Sequence, residues 1–226
     1  KIQNGYSRIN FKMKSDEESE VNGNGPEINK QHLSEFYKKL DCLEMGDILV
    51  LSGSIPKCLS HDIYYEIMKY LKDKEIKVVV DATGHLLLKV LELKPFLVKP
   101  NKHELEEMFH VKLFNKQDII LYGKKLQEMG AKNILISMAG DGAIYICENG
   151  KVYLSEVPKG IVKNSVGAGD SMVAGFIAGY IKTKSYVHAF RMGVATGSAS
   201  AFSEDLAKES EVLNLLKQIH EVEYEY

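Results

Sequence analysis

Asn164-Ser165-Val166-Gly167-Ala168-Gly169-Asp170-Ser171, followed without a break by Met172-Val173-Ala174-Gly175-Phe176-Ile177-Ala178-Gly179-Tyr180, is a turn of small residues opening into an apolar helix. Two glycines and an alanine leave the backbone N–H groups of Gly167, Ala168 and Gly169 uncovered at a helix N-terminus. Unpaired donors and the positive end of the dipole favour an anion there. A carboxylate at Asp170 would repel that anion unless it had another task, and taking the proton of a group that attacks a phosphate is such a task. The stretch therefore has the chemistry of phosphoryl transfer to an alcohol. Gly-x-Gly-Asp before an apolar run is equally an ordinary helix entry with Asp170 as a first-turn charge, so other segments must separate the two.

Upstream, near-continuous hydrophobic runs at 47–52, 77–81, 96–99 and 133–137 have the composition of strands covered on both faces. Helical stretches at 61–72, 85–93, 102–108 and 117–129 alternate with them, which predicts a doubly wound α/β sheet, mostly parallel, with helices on both faces. The tail reads as helical at 172–181, 186–202 and 209–219. A short antiparallel section, 143–147 and 151–157, is joined by Glu148-Asn149-Gly150, whose Asn-Gly is a hairpin signal.

Two strand ends carry further chemistry. Ile134-Leu135-Ile136-Ser137 runs into Met138-Ala139-Gly140-Asp141-Gly142-Ala143, where glycines let the backbone approach a bound group at the carboxyl end of a strand. Asp141-Gly142 alone also fits a hairpin turn. Phe96-Leu97-Val98-Lys99-Pro100-Asn101-Lys102-His103-Glu104 is a strand that stops at Pro100 and turns into a helix, with Asn101 as cap and Glu104 at the capping-box position. The Glu104 carboxylate would also lie close to strand ends, where a magnesium ion with its waters could be held. At the front, Arg8, Asn10, Lys12 and Lys14 alternate with Ile9, Phe11 and Met13, so an extended strand places the four polar groups on one face. Arginine forks suit phosphate oxygens, although most such faces are simply solvated. Asp16-Glu17-Glu18 reads as an exposed turn.

Other chemistries are absent. No Gly-x-x-x-x-Gly-Lys-Ser/Thr run occurs, and Met172 stands where a dinucleotide fingerprint needs its third glycine. The seven histidines show no His-Glu-x-x-His spacing, since Glu107 occupies the required position after His103-Glu104. At 226 residues the chain supports one large domain, and a formal net charge of −2 offers no pull toward nucleic acid or an anionic membrane. Cys42, Cys58 and Cys147 are scattered and odd in number, as in a reducing cytosol. No run approaches the roughly 18 apolar residues of a membrane helix. The expectation is a cytoplasmic protein without nucleic-acid or membrane partners.

The segments 164–175, 137–143 and 99–105, joined by Ser7-Arg8-Ile9-Asn10-Phe11-Lys12, Leu51-Ser52-Gly53-Ser54-Ile55-Pro56 and Gly197-Ser198-Ala199-Ser200-Ala201-Phe202-Ser203, resemble the ribokinase or PfkB family of carbohydrate kinases. Within it they are most similar to kinases of phosphorylated ketohexoses, over about residues 7–202. The resemblance implies a ribokinase-like fold and ATP-dependent phosphorylation of fructose 1-phosphate to fructose 1,6-bisphosphate, with tagatose 6-phosphate as the alternative substrate. It implies Asp170 as base and Gly167, Ala168 and Gly169 as the anion hole. Ser137, Ala139, Gly140, Asp141, Gly142, Lys99 and Asn101 would then carry the nucleotide phosphates, and Glu104 the magnesium through water. Arg8, Asn10, Lys12 and Ser54 would hold the sugar phosphate. The small Gly197-Ser198-Ala199 side chains suit an adenine wall or tight helix packing.

In the family an acidic first strand, lid strands and a Gly-Gly-Lys/Asn-Gly turn precede the Arg8 segment, and these residues contain none of them. The chain is accordingly expected to be the C-terminal portion of a single kinase domain, residues 1–30 forming a lid-proximal substrate segment and 31–226 the nucleotide-binding core. Little or no activity by itself and possible homo-oligomerisation are expected. A sugar-phosphate or nucleotide-binding module without catalysis is the rival reading.

Overall fold

The computed structural model describes residues 6–13 and 19–224, so Lys14 and Asp16-Glu17-Glu18 lie outside it, as does the side chain of Lys12. Strands β1 (Asn10–Met13) and β2 (Ser19–Asn22) pair antiparallel as a two-stranded sheet of their own, with Val21 opposite Phe11. Ile9, Phe11, Met13 and Val21 are all exposed, and period-two alternation puts them on the face opposite Arg8 and Asn10.

Helix α1 (Lys30–Leu40), not anticipated from the sequence, starts where the Asn29 side chain accepts from the His32 amide and the His32 ring accepts from that of Asn29. It leads into a seven-stranded sheet whose neighbours follow chain order: β3 (Ile48–Ser52), β4 (Lys77–Asp81), β5 (Leu97–Val98), β6 (Asn133–Ser137), β7 (Ala143–Ile146), β8 (Val152–Ser155) and β9 (Glu221–Tyr224). Pairing is parallel from β3 to β6 and antiparallel from β6 to β9. The parallel strands are connected through α2 (Ile63–Tyr70), α3 (Gly84–Val90), α4 (Lys102–Phe109) and α5 (Lys116–Glu128). After β8 come α6 (Ala168–Thr183), α7 (Tyr186–Phe202) and α8 (Glu209–Leu216).

The hydrophobic runs are continuous because each strand feeds two cores. Val78, Val80, Val98, Ile134 and Ile136 pack with Leu87, Leu105, Ile120 and Leu126 on one face. Val79, Leu97, Leu135 and Tyr145 pack with Phe176, Phe190 and Val194 on the other. Each such side chain contributes about 1.5–3 kcal/mol of burial, so both faces need their helices.

Close approach of α6 and α7 explains their small residues. A Cβ on Gly175 would stand 2.3 Å from Thr196 Oγ1 and 2.6 Å from the Met192 carbonyl. A Cβ on Gly197 would stand 3.0 Å from the Ala168 carbonyl, and Ser198 and Ala199 are buried. Of the two readings of Gly197-Ser198-Ala199, helix packing is the one these contacts support.

Beyond the residues expected to be helical, the chain adds one more strand. Glu221–Tyr224 is a strand whose alternation sets Val222 opposite Leu154. Glu223 pairs with Lys151 at 2.8 Å and Glu221 with Arg191 at 3.3 Å. The open side of β8 supplies backbone partners that no helix could use.

Candidate active site

Ser52, Asp81, Lys99 and Ser137 stand at or just beyond the carboxyl ends of β3, β4, β5 and β6, the edge where an open α/β sheet collects ligand groups. Helix α6 points its N-terminus to the same edge. Gly167 caps it at φ 77, a left-handed conformation suited to glycine. The preceding loop is tied down by Asn164, whose Oδ1 accepts from the Val166 amide while its Nδ2 donates to the Glu204 carbonyl.

Of the three amides expected to be open, that of Ala168 is engaged: it donates to the Ser165 carbonyl at 3.2 Å, because the turn at Gly167 folds the chain back on itself. No backbone carbonyl among the described residues takes the N–H of Gly167, Gly169 or Asp170. These donors define the opening of the helix.

Lys99 lies against them. It is buried, its Nζ is 3.2 Å from Asp81 Oδ1, and a Cβ on Gly169 would come within 3.3 Å of that Nζ. A side chain at 169 would press on this ammonium and shift it by a few tenths of an ångström. Burial pushes the Asp81 carboxyl above the ordinary range, the Lys99 charge pulls it back, and the nearby Asp170 and Glu104 charges push it up again. Asp81, which sequence reasoning missed, carries only an acidic residue at a strand end as its signal.

Asp170 is exposed in the first turn of α6, and Ser52 Oγ donates to its Oδ1 at 3.5 Å. Ser54 follows on the same loop and accepts from Arg8 Nη1 at 2.5 Å, while Arg8 Nε donates to Asn10 Oδ1 at 3.0 Å. Arg8, Asn10 and Ser54 are thus brought together from segments far apart in sequence. Their polar cluster is linked through residues 52–54 to Asp170.

Asn101 and Glu104 form a complete capping box on α4: Asn101 Oδ1 accepts from the Glu104 amide and Glu104 Oε2 from the Asn101 amide, each at 2.8 Å. One Glu104 oxygen is therefore committed to the helix. Among the described residues no group of three His, Cys, Asp or Glu side chains could hold a metal ion. Magnesium is usually bound through one or two carboxylates together with phosphates and water, and the Glu104 carboxylate is a donor of the type that such an ion takes.

The turn between β6 and β7 is a hairpin and an open loop at once. Met138 N–H donates to the Gly142 carbonyl, Asp141 N–H to Met138 and Gly142 N–H to Ala139. Those bonds consume the amides of Asp141 and Gly142, whereas those of Ala139 and Gly140 meet no backbone carbonyl. Gly142, at φ 94, has the Ser155 carbonyl only 2.0 Å from where a Cβ would stand. A cavity of about 370 Å³ opens beside this turn, lined in part by Lys102, Met138, Gly140, Asp141 and Glu156.

Comparison with known proteins gives this geometry its context. The sequence profile of the pfkB family carbohydrate kinases matches residues 4–211. The 1-phosphofructokinase of Bacillus subtilis is 49% identical over 95% of this chain and 71% of its own length. A D-tagatose-1-phosphate kinase of Bacillus licheniformis is 33% identical over 95% of this chain and 71% of its own. The crystal structure of a candidate phosphofructokinase from Staphylococcus aureus superposes with a TM-score of 0.86 at 36% identity, covering 96% of this chain and 71% of that one. With an open helix N-terminus, a buried lysine against it and a carboxylate in its first turn, all on a sheet shared with these proteins, the chain belongs to the pfkB family of carbohydrate kinases.

Proposed function

We propose that this chain carries the ATP-dependent phosphorylation of a ketohexose 1-phosphate, fructose 1-phosphate to fructose 1,6-bisphosphate. The observation that carries the reading is the Lys99 ammonium packed on Gly169, next to open amides and to the exposed Asp170 carboxylate that follows in the same turn. The 49% identity to a 1-phosphofructokinase supports the substrate.

In this mechanism the C6 hydroxyl of the sugar attacks the γ-phosphorus as its proton passes to Asp170 and the bond to the ADP oxygen breaks. The amides of Gly167 and Gly169 and the Lys99 ammonium hold the charge on the transferred group. Ala139 and Gly140 offer their open amides to the remaining phosphates. Magnesium bound with the nucleotide would supply charge neutralisation, and Glu104 would hold it through water. Arg8, Asn10 and Ser54 hold the phosphate already on C1, and Lys12 joins them by its place in β1. The three cysteines are free, which agrees with a cytoplasmic setting, and no helix of the described residues is long and apolar enough to cross a membrane.

The relative named for D-tagatose 1-phosphate favours one second reading. Tagatose and fructose differ at C4, so both substrates would share the C1 phosphate contacts and the attacking C6 hydroxyl. The tagatose alternative thereby moves from the 6-phosphate to the 1-phosphate. Steady-state assays of ADP release, on the protein expressed from its natural reading frame, with fructose 1-phosphate, tagatose 1-phosphate and tagatose 6-phosphate, test the assignment. A kcat/KM highest for fructose 1-phosphate is expected. Absence of turnover with every one of them would overturn it.

A further inference from the structure

Tyr64 has no role in the mechanism above, yet it holds the turn on which two parts of the site meet. Its hydroxyl donates its one proton between two consecutive carbonyls, Ser52 O at 2.7 Å and Gly53 O at 3.0 Å. No other side-chain hydrogen bond reaches these carbonyls among the described residues. The turn needs holding: Gly53 leaves the strand at φ +87, and its N–H is tied to the Asp81 carbonyl at 3.2 Å. On one side of Gly53, Ser52 Oγ points at Asp170; on the other, Ser54 Oγ takes the Arg8 guanidinium.

The hydroxyl is itself well placed to be rigid. Tyr64 is the second residue of α2, its side chain is buried, and α2 is anchored in the core through Ile63, Ile67 and Met68. A latch fixed to the core thus fixes a short link between Arg8 and Asp170.

We propose that Tyr64 is a positioning residue, whose hydroxyl sets the Ser52-Gly53-Ser54 turn so that Ser54 meets Arg8 and Ser52 meets Asp170. The sugar phosphate is then held at one end of the turn, and its reacting hydroxyl is aligned at the other. The proposal rests on the kinase reading of the site. It adds a residue that touches neither substrate.

Tyr64→Phe tests it, because the ring keeps its packing and only the hydroxyl is lost. Gly53→Ala is the second variant: open space surrounds the Cβ position, so the change acts on the left-handed backbone of the turn alone. Amide resonances of Gly53 and Ser54, calorimetric affinities for fructose 1-phosphate and for Mg-ATP, and Tm are measured for each.

The expected result for Tyr64→Phe is shifted Ser54 and Gly53 amides and a fructose 1-phosphate affinity weaker by roughly tenfold, with Mg-ATP affinity changed by less than about twofold. Gly53→Ala is expected to give the same asymmetry. Unmoved amides, an unchanged sugar-phosphate affinity, or equal loss for both ligands would overturn the proposal, the last outcome marking a merely structural tyrosine. Should the wild-type protein bind no fructose 1-phosphate, the kinase reading falls, while the amide shifts still decide whether Tyr64 sets the turn.

Discussion

The Lys99 ammonium stands 3.2 Å from Asp81 Oδ1, a nearly buried ion pair set directly beneath the N-terminus of α6. Such a pair contributes little to stability while intact, because desolvation offsets most of the attraction, but losing one partner strands the other charge. Asp81→Asn is accordingly expected to destabilise the fold by about 3–5 kcal/mol, read from urea unfolding midpoints. Lys99→Met should cost less stability and abolish Mg-ATP binding. Equal stability losses for the two would show that the pair is not dominated by the buried lysine.

Asp170→Asn should leave Mg-ATP affinity nearly unchanged and lower kcat by about two to four orders of magnitude, the range for a general base. Single-turnover kinetics in the presence of saturating sugar phosphate separate this from a binding defect. Normal turnover in the variant would remove Asp170 from the chemistry.

Arg8→Ala removes hydrogen bonds that the charged fork makes in an exposed setting. It is expected to weaken fructose 1-phosphate by about 1.5–3 kcal/mol while Mg-ATP affinity stays within error. Calorimetry with each ligand checks the asymmetry.

Gly175→Ala places a methyl group 2.3 Å from Thr196 Oγ1, against a neighbouring backbone that cannot move aside freely. The helix-propensity gain of about 1 kcal/mol is outweighed by overpacking, and a net loss of about 1–3 kcal/mol in chemical denaturation is expected.

Alkaline pH should unfold the protein through its tyrosines. Burial, followed by the neighbouring Cys147, holds the Tyr145 phenol far above its ordinary range, and burial also raises Tyr64. A group raised on folding keeps its full stability contribution below its unfolded pKa, about 10 for tyrosine, and loses it as pH rises beyond that. Tm is expected to be level in this respect up to about pH 9 and to fall steeply above about pH 10. A Tm independent of pH up to 11 would contradict the burial of these phenols.

Much of the site could be read in order along the chain. Gly167, Gly169 and Asp170 announce themselves because an open helix start needs small residues and the chemistry needs an acid close by. The Asn101 and Glu104 pair is equally local, each capping the other's amide across three residues. Ala168 was misleading for a reason no local pattern reveals: whether an amide is open depends on the carbonyl that folds back onto it, here that of Ser165.

By itself the sequence determined the alternation of strands and helices, the two-sided burial of β4 and β6 and the small-residue seam of α6, since each follows from periodicity within a dozen residues. Only the tertiary structure decided that β9 closes the antiparallel side, that Lys99 lies on Gly169, and that Arg8 reaches Ser54 while Tyr64 holds the turn between Ser54 and Asp170. Most of these relationships join residues tens of positions apart, and their strength comes from burial and donor-to-acceptor distance. Neither quantity exists in a chain until its core has packed.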